Sequence, residues 1–153
     1  MIRLAVPEDG AELLRLNEEF NGPGDVDASD IAGSLAGNPQ ELVVVAEGPQ
    51  GLRGFVCVQV KRSFCYKRPV PEITEVYVEP ESRGQGLGTA MLKLAQEAYI
   101  RRYGRPEGFE LLTGEDNLPA RALYGGLGFQ PDGELHLFKG LEGAEDDAPL
   151  AGR

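Results

Sequence analysis

An α/β or α+β domain with a mixed sheet is the fold this sequence predicts, and three observations carry it. Short runs rich in β-branched residues alternate with stretches of helical period. Two of those runs, 41–48 and 52–60, are joined by the tight turn "GPQG", which reads as an antiparallel hairpin. The longest helical stretch, Leu87 to Tyr103, follows a strand directly and leads to another, as a crossover does.

Taken in order, residues 2–5 open with a short apolar-alternating strand. Pro7 followed by Glu8 and Asp9 starts a helix, with Leu13, Leu16 and Phe20 at helical spacing and "NGPG" at 21–24 as its end. A weaker helix spans 27–37, with Ile31 and Leu35 on one face and Asn38-Pro39 as the stop. In the hairpin, Phe55 and Cys57 fall on one side of the second strand and Val56, Val58 and Val60 on the other. "PEITEVYVEP" at 71–80 is a third clear strand closed by Pro80. The long helix has Arg101 and Arg102 at its C-terminal dipole, Gly104 as a cap and Pro106 beyond. A strand over 109–113, a short helix over 119–127 ended by Gly128, and a final strand over 134–140 complete the order β-α-α-β-β-β-α-β-α-β.

At 153 residues the chain fits one domain, assigned to 1–140, with an acidic and mobile tail over 141–153. The tail carries four acids and one base, a net −3 of the total −10, so the remaining chain is still at −7. Phosphate polymers need a basic surface, so nucleic acid is not expected as the main partner, whereas an amine is electrostatically comfortable. No apolar run approaches the ~20 residues of a membrane span, and "MIRLAVPEDG" lacks the apolar region of a secretory signal. A cytoplasmic protein is expected. Cys57, Cys65 and the single His136 make neither a metal spacing nor a disulfide framework, and no metal site is expected.

The stretch "ESRGQGLGT" at 81–89 concentrates glycine at the mouth of the long helix. The dinucleotide pattern G-x-G-x-x-G fails from Gly84, where the sixth position is Thr89, and from Gly86, where it is Met91. The P-loop ending Gly-Lys-Ser/Thr is missing, since the first lysine is Lys93. The local physics still favours an anion. Helix starts leave unpaired N–H groups and about half a positive charge. Gly84, Gly86 and Gly88 remove β-carbons that would block approach, and Arg83 adds charge at the rim. A pyrophosphate suits such a loop.

"EITEVYVEPESRGQGLGTAML" resembles the central motif of the GNAT superfamily of acyl-CoA-dependent N-acetyltransferases, Arg/Gln-x-x-Gly-x-Gly/Ala, through Arg83, Gly86 and Gly88. A second stretch, "NLPARALYGGLGF", is similar to the family's Asn-x-x-Ala-x-x-x-Tyr-x-x-x-Gly-Phe through Asn117, Ala120, Tyr124, Gly128 and Phe129. The likeness covers about residues 1–140 and implies a twisted mixed sheet of about six or seven strands with helices on both faces. It implies acetyl-CoA as cofactor, lying where strands 72–78 and 109–113 splay apart. Main-chain groups around Val76, Tyr77 and Val78 would pair with the pantetheine arm. The loop of Arg83, Gly84, Gln85, Gly86, Leu87, Gly88 and Thr89 would hold the pyrophosphate. Asn117 would bond the cofactor, cap its helix, or both.

The resemblance makes Tyr124 the general acid toward the departing thiolate, its alternative being simple packing beside Ala120. Glu72 and Glu75 are the candidate bases. Three residues apart on a strand, they point to opposite faces unless a bulge intervenes. Glu72 is favoured because it stands eleven positions ahead of the motif's arginine, with Glu75 at an acidic substrate-side position. Two departures stand out: Gly125 and Gly126 in the tyrosine helix, and the long basic connection 61–71 bearing Lys61, Arg62, Lys67 and Arg68. That connection could rim the substrate mouth or a homodimer contact. The expected activity is acetyl transfer from acetyl-CoA to a primary amine of a small molecule or a protein, by direct attack in a ternary complex. The competing reading is a non-catalytic acyl-CoA-binding or sensing module. The acceptor is not specified, although Asp25, Asp27 and Asp30 suit a cationic amine or, equally, turns and helix caps.

Overall fold

Arg3 and Asp9 fix the N-terminal entry into the sheet. In the computed structural model, which describes residues 1–142, strand β1 (Ile2–Leu4) is followed by a 3-10 turn at Pro7–Asp9 and helix α1 (Gly10–Asn21). The Asp9 carboxylate accepts two bonds from the Arg3 guanidinium, at 2.7 and 2.9 Å, and one from the Val6 N–H at 2.8 Å. Helix α2 (Ala28–Gly37) begins with a reciprocal cap. The Asp30 N–H donates to Asp27 at 2.8 Å and the Asp27 N–H to Asp30 at 3.0 Å, so these acids serve the helix start.

Strands β2 (Glu41–Gly48) and β3 (Gly51–Lys61) form the expected hairpin, and β4 (Val70–Val78) pairs antiparallel with β3. A 3-10 turn at Pro80–Ser82 leads to α3 (Leu87–Tyr103). Strand β5 (Glu110–Leu111) lies parallel to β4, and α4 (Leu118–Gly126) follows. The sheet order is β1-β2-β3-β4-β5.

The alternation of β3 separates two cores. Val56, Val58 and Val60 join Ile73 and the buried side of α3, contributed by Met91, Leu92, Ala95, Ala98 and Tyr99. Phe55, with Cys57 partly buried beside it, joins Leu13 and Leu16 of α1 and Tyr77. Phe20, Phe55 and Tyr77 form an aromatic cluster with ring centroids 5.0–6.3 Å apart, fastening α1 to the sheet.

Three expectations are corrected. The sheet has five strands among the described residues, not six or seven. The strand expected over 109–113 shrinks to Glu110–Leu111, and residues 134–140 join no ladder. Alternation gives a segment two faces but does not supply the neighbouring edge that a strand needs. The acidic tail, from residue 143 onward, lies outside the described residues.

Candidate active site

The pairing of β4 and β5 is brief. Glu72 stands opposite Glu110 and Ile73 opposite Leu111, and no further pair continues the ladder among the described residues. At the point where pairing stops, β4 bulges: Ile73 pairs with Val58 and Glu75 with Cys57, leaving Thr74 as an extra residue. A bulge bends its strand and re-aims side chains. From there to Val78 no strand pairs with the β5-facing edge of β4 among the described residues, although the Val78 carbonyl accepts from Arg83, and the gap leads toward the glycine loop.

The bulge settles how the two glutamates face. Ile73, Val76 and Val78 pack on the α3 side while Tyr77 packs on the α1 side. Counting outward from these, Glu72 and Glu75 both lie on the α1/α2 face, despite their odd spacing. Glu72 is bound into an ion-pair bridge: Lys61 Nζ is 3.5 Å from its Oε2 and 2.7 Å from Glu110 Oε1. Glu75 lies where several groups converge. Its charge acts on the thiol of Cys57 and on the hydroxyl of Tyr124.

Tyr124 comes from α4, half-buried against the α3-side core, with its ring 6.1 Å from Phe129 in an edge-on contact. Burial raises its hydroxyl above the usual 10.0, and the Glu75 carboxylate adds to the shift. The phenol therefore keeps its proton at neutral pH. Helix α4 is started by Asn117, whose side-chain oxygen accepts from the Ala120 N–H at 3.4 Å. The capping role of Asn117 is thus present in the structure.

The loop 84–89 is a row of main-chain donors. Ala90 is the first α3 residue whose N–H returns to the preceding turn, bonding Gly86 O at 3.0 Å. Among the described residues, no hydrogen bond is recorded from the amides of 84–89. Gly84 and Gly86 take φ of +76° and +78°, and a β-carbon on either would project into open space. Gly88 has a different reason to be glycine, since a β-carbon there would stand 3.2 Å from Leu123 of α4. The glycines therefore divide between shaping a cradle and seating one helix on another. Gln85 is exposed, and Leu87 and Thr89 are half-buried in the first turn of α3. Arg83 folds back rather than reaching over the loop. Its Nε donates to Val78 O at 2.9 Å, and its guanidinium lies 5.9 Å from the Tyr77 ring centroid.

Two polar residues on the glutamate face escaped sequence reasoning. Glu41 and Gln59 stand in one cross-strand row with Glu72, and Gln59 Nε2 donates to Glu41 Oε2 at 2.7 Å. Burial pushes the Glu41 carboxyl above its ordinary 4.5, opposed by the Gln59 bond. The signal was the period of two, which puts Glu41 on the same inward face of β2 as Val43 and Val45. Cys57, opposite Glu75, is nearer the site than its place in the sequence suggested. Burial, Glu41 and Glu75 push its thiol well up, which keeps it protonated and a poor nucleophile.

The site thus combines a sheet opened between two parallel strands, a helix start lined with main-chain N–H groups, and a phenol raised by burial and by the charge of Glu75. The acetyltransferase (GNAT) family model matches residues 11–129, and the chain belongs to that family. It is 28% identical to the 5-NmdU N-acetyltransferase of Pseudomonas phage PaMx11 over 145 residues, covering 91% of this chain and 97% of that protein. It is 32% identical to a mycothiol acetyltransferase of Nocardioides sp., covering 84% of this chain but 49% of the relative. An uncharacterized N-acetyltransferase of Methanocaldococcus jannaschii is 44% identical over 74 residues, 48% of this chain and 30% of the relative. The chain thus spans half or less of two of these relatives and nearly all of the phage protein. In fold it matches an aminoglycoside acetyltransferase from an uncultured soil metagenomic sample with a TM-score of 0.79 at 18% identity, covering 93% of this chain and 96% of that one. No helix among the described residues is long and apolar enough to cross a membrane.

Proposed function

We propose that the domain transfers the acetyl group of acetyl-CoA to a primary amine of a small molecule or a protein, by direct attack in a ternary complex. The observation that carries this reading is the gap between β4 and β5 beyond Glu72–Ile73, leading to the donor row of 84–89 with Tyr124 and Glu75 near it. The cradle fits a pyrophosphate: its glycines leave open space, and the helix start supplies partial positive charge. Main-chain groups of Val76, Tyr77 and Val78 would hold the pantetheine arm along the open strand edge. The Val78 carbonyl already accepts from Arg83, so that arginine must move or the arm must use the other groups. Asn117 would keep its capping bond while its amide nitrogen faces the cofactor.

When bound, acetyl-CoA supplies an activated acyl carbon and a thiolate leaving group. The chain's residues handle the protons. An acceptor ammonium must lose one proton to expose its lone pair and a second after the C–N bond forms, while the C–S bond breaks and sulfur takes one proton. We assign proton acceptance to Glu75, directly or through water. Lys61 holds one oxygen of Glu72, whereas Glu75 is the carboxylate whose charge reaches Tyr124. Tyr124 donates to the sulfur. A phenol above pKa 10 is a weaker acid than a thiol near 8.5, so its hydrogen bond stabilises the charge developing on sulfur while a proton released from the amine restores the balance. Glu41 and Gln59 extend the polar row over which a cationic acceptor would lie.

The relatives' names refer to 5-NmdU, mycothiol and aminoglycosides, so they agree on acetyl transfer and differ in acceptor. The test is an acceptor screen monitoring free thiol, followed by mass spectrometry of the product. CoA release that requires an amine, with no acetylated protein when the amine is omitted, is expected. An acetyl group on Cys57 or Cys65 that passes to the amine on chase would sink direct attack. CoA-dependent thermal stabilisation without turnover across a broad panel would favour the sensing module.

A further inference from the structure

Glu41 belongs to two features at once. It starts the cross-strand row that runs through Gln59 to Glu72, and it also lines a cavity of about 370 Å³ at the far end of that row. Small-molecule sites have volumes of this order. The cavity forms where the sheet has a short free edge. β1 ends opposite Val44, and the Ala5 N–H still reaches Val43 O at 2.9 Å, but Glu41 and Leu42 have no strand on that side among the described residues. Leu35 and Val43 belong to the core under α1 and α2, and Leu42 and Ala98 to the core under α3, so the walls are apolar from both faces of the sheet.

The mouth of the cavity is charged. Arg101 and Arg102, in the last turn of α3, are exposed there. Arg102 stands 5.4 Å from the Tyr103 ring centroid, and neither guanidinium has a carboxylate partner among the described residues. Two planar guanidiniums side by side suit a carboxylate or a phosphate. Glu41 is the carboxylate of the lining, and its Oε2 is already engaged by Gln59 Nε2 at 2.7 Å.

The register sets the span. Glu75 pairs with Cys57 and Cys57 with Val43, so two strand spacings across and two residues along separate Glu75 from Glu41, about 12 Å.

We propose that this cavity receives the far end of the acceptor, and that the acceptor is an elongated primary amine ending in an anionic group held by Arg101 and Arg102. The inference rests on the reading of Glu75 as proton acceptor. The amine then lies at Glu75, the stem crosses the row at Gln59 and Glu41, and its apolar part lies along Leu35, Leu42 and Val43. Opposite charges at the two ends orient the acceptor, since the reverse placement sets an anion against Glu75 and an ammonium against two arginines. A simple amine binds through one end only.

The test follows free thiol release from acetyl-CoA with a set of ten-carbon acceptors: ω-aminodecanoate, ω-aminodecyl phosphate, decylamine and the matching diamine. At least one anionic acceptor should exceed decylamine in kcat/KM by roughly tenfold, and the one that leads tells carboxylate from phosphate. Arg101→Gln with Arg102→Gln should bring that ratio close to one, whereas Arg101→Lys with Arg102→Lys should keep most of it. Each ratio is taken within one variant, so a change in the amount of folded enzyme does not alter it. Equal kcat/KM for decylamine and both anionic acceptors, or a diamine ahead of them, would overturn the proposal while leaving acetyl transfer to amines in place. A preference that survives the glutamine pair overturns it too. If none of these amines is turned over, calorimetric titration of the same compounds into the CoA-bound protein decides. Tighter binding of an anionic compound, abolished by the glutamine pair, supports the cavity even as the transfer reading fails, and equal binding of all of them overturns it.

Discussion

Tyr124 and Glu75 form the smallest unit on which the proposed chemistry can be judged. A buried phenol next to a carboxylate is held protonated, so the alkaline limb of the rate profile should report Tyr124. Tyr124→Phe keeps the ring packed on Phe129 and removes the donor. Turnover should fall by roughly 10²–10⁴, with the KM for acetyl-CoA little changed, in steady-state kinetics at neutral pH. Undiminished turnover would remove the donor role. Glu75→Gln should lower activity as well and, because it takes away a charge that raises the tyrosine, move any remaining alkaline limb to lower pH. Glu72→Gln should leave that limb in place, since the charge acting on the phenol comes from Glu75. Equal shifts from both variants would break the assignment of Glu75.

At the scale of elements, the glycine loop is held from behind by α1. Arg15 donates to Leu52 O at 2.7 Å and to Glu12 and Glu19 at 3.1 and 2.9 Å, and its Nη1 lies 3.5 Å from Glu79. Glu79 in turn accepts from the Ser82 hydroxyl at 2.8 Å, one residue before Arg83. Beside this chain of contacts lies a cavity of about 520 Å³ whose lining includes Arg53 and Gln85. Arg15→Ala should raise the KM for acetyl-CoA several-fold with kcat nearly constant, because it loosens the loop without touching the reacting groups. Gly86→Ala places a β-carbon on a left-handed residue and should cost roughly 1–2 kcal/mol. Thermal melts would show this as about 2–4 °C per kcal/mol. Much of this level was legible in the sequence: α3, its caps and the hairpin follow from local period and turn chemistry. The bulge at Thr74 was not, because it arises from the register of β4 against β3, and no pattern within β4 announces it. Residues 134–140 mark the opposite limit. Their strand pattern was plain, but whether a strand finds an edge is a property of the assembled sheet. Glu41 was passed over for a related reason, since its row with Gln59 and Glu72 exists only across three strands.

Across the whole molecule, two sets of carboxylates pull the pH dependence of stability in opposite directions. Asp9, buried against Arg3, and Glu12, bonded to Arg15 and to the Leu52 N–H, sit below their ordinary values of 3.8 and 4.5. A lowered carboxylate stabilises the fold above its unfolded value, and that contribution is lost as pH falls through the folded one. Glu41 is raised by burial, so its contribution is full below 4.5 and lost as pH rises through its folded value. The melting temperature should therefore drop steeply in acid and carry a smaller penalty on the neutral side. Asp9→Asn, which weakens the charged bonds to Arg3, should cost about 1–3 kcal/mol at pH 7, and the gap from the parent should close toward pH 3. Glu41→Gln keeps a partner for Gln59 and removes a desolvated charge. It should match the parent near pH 4 and melt higher at pH 8. A Glu41→Gln gap that is the same at both pH values would mean that burial of Glu41 does not set its titration. The row of polar groups beneath the proposed acceptor site would then have to be more open to water than its packing indicates.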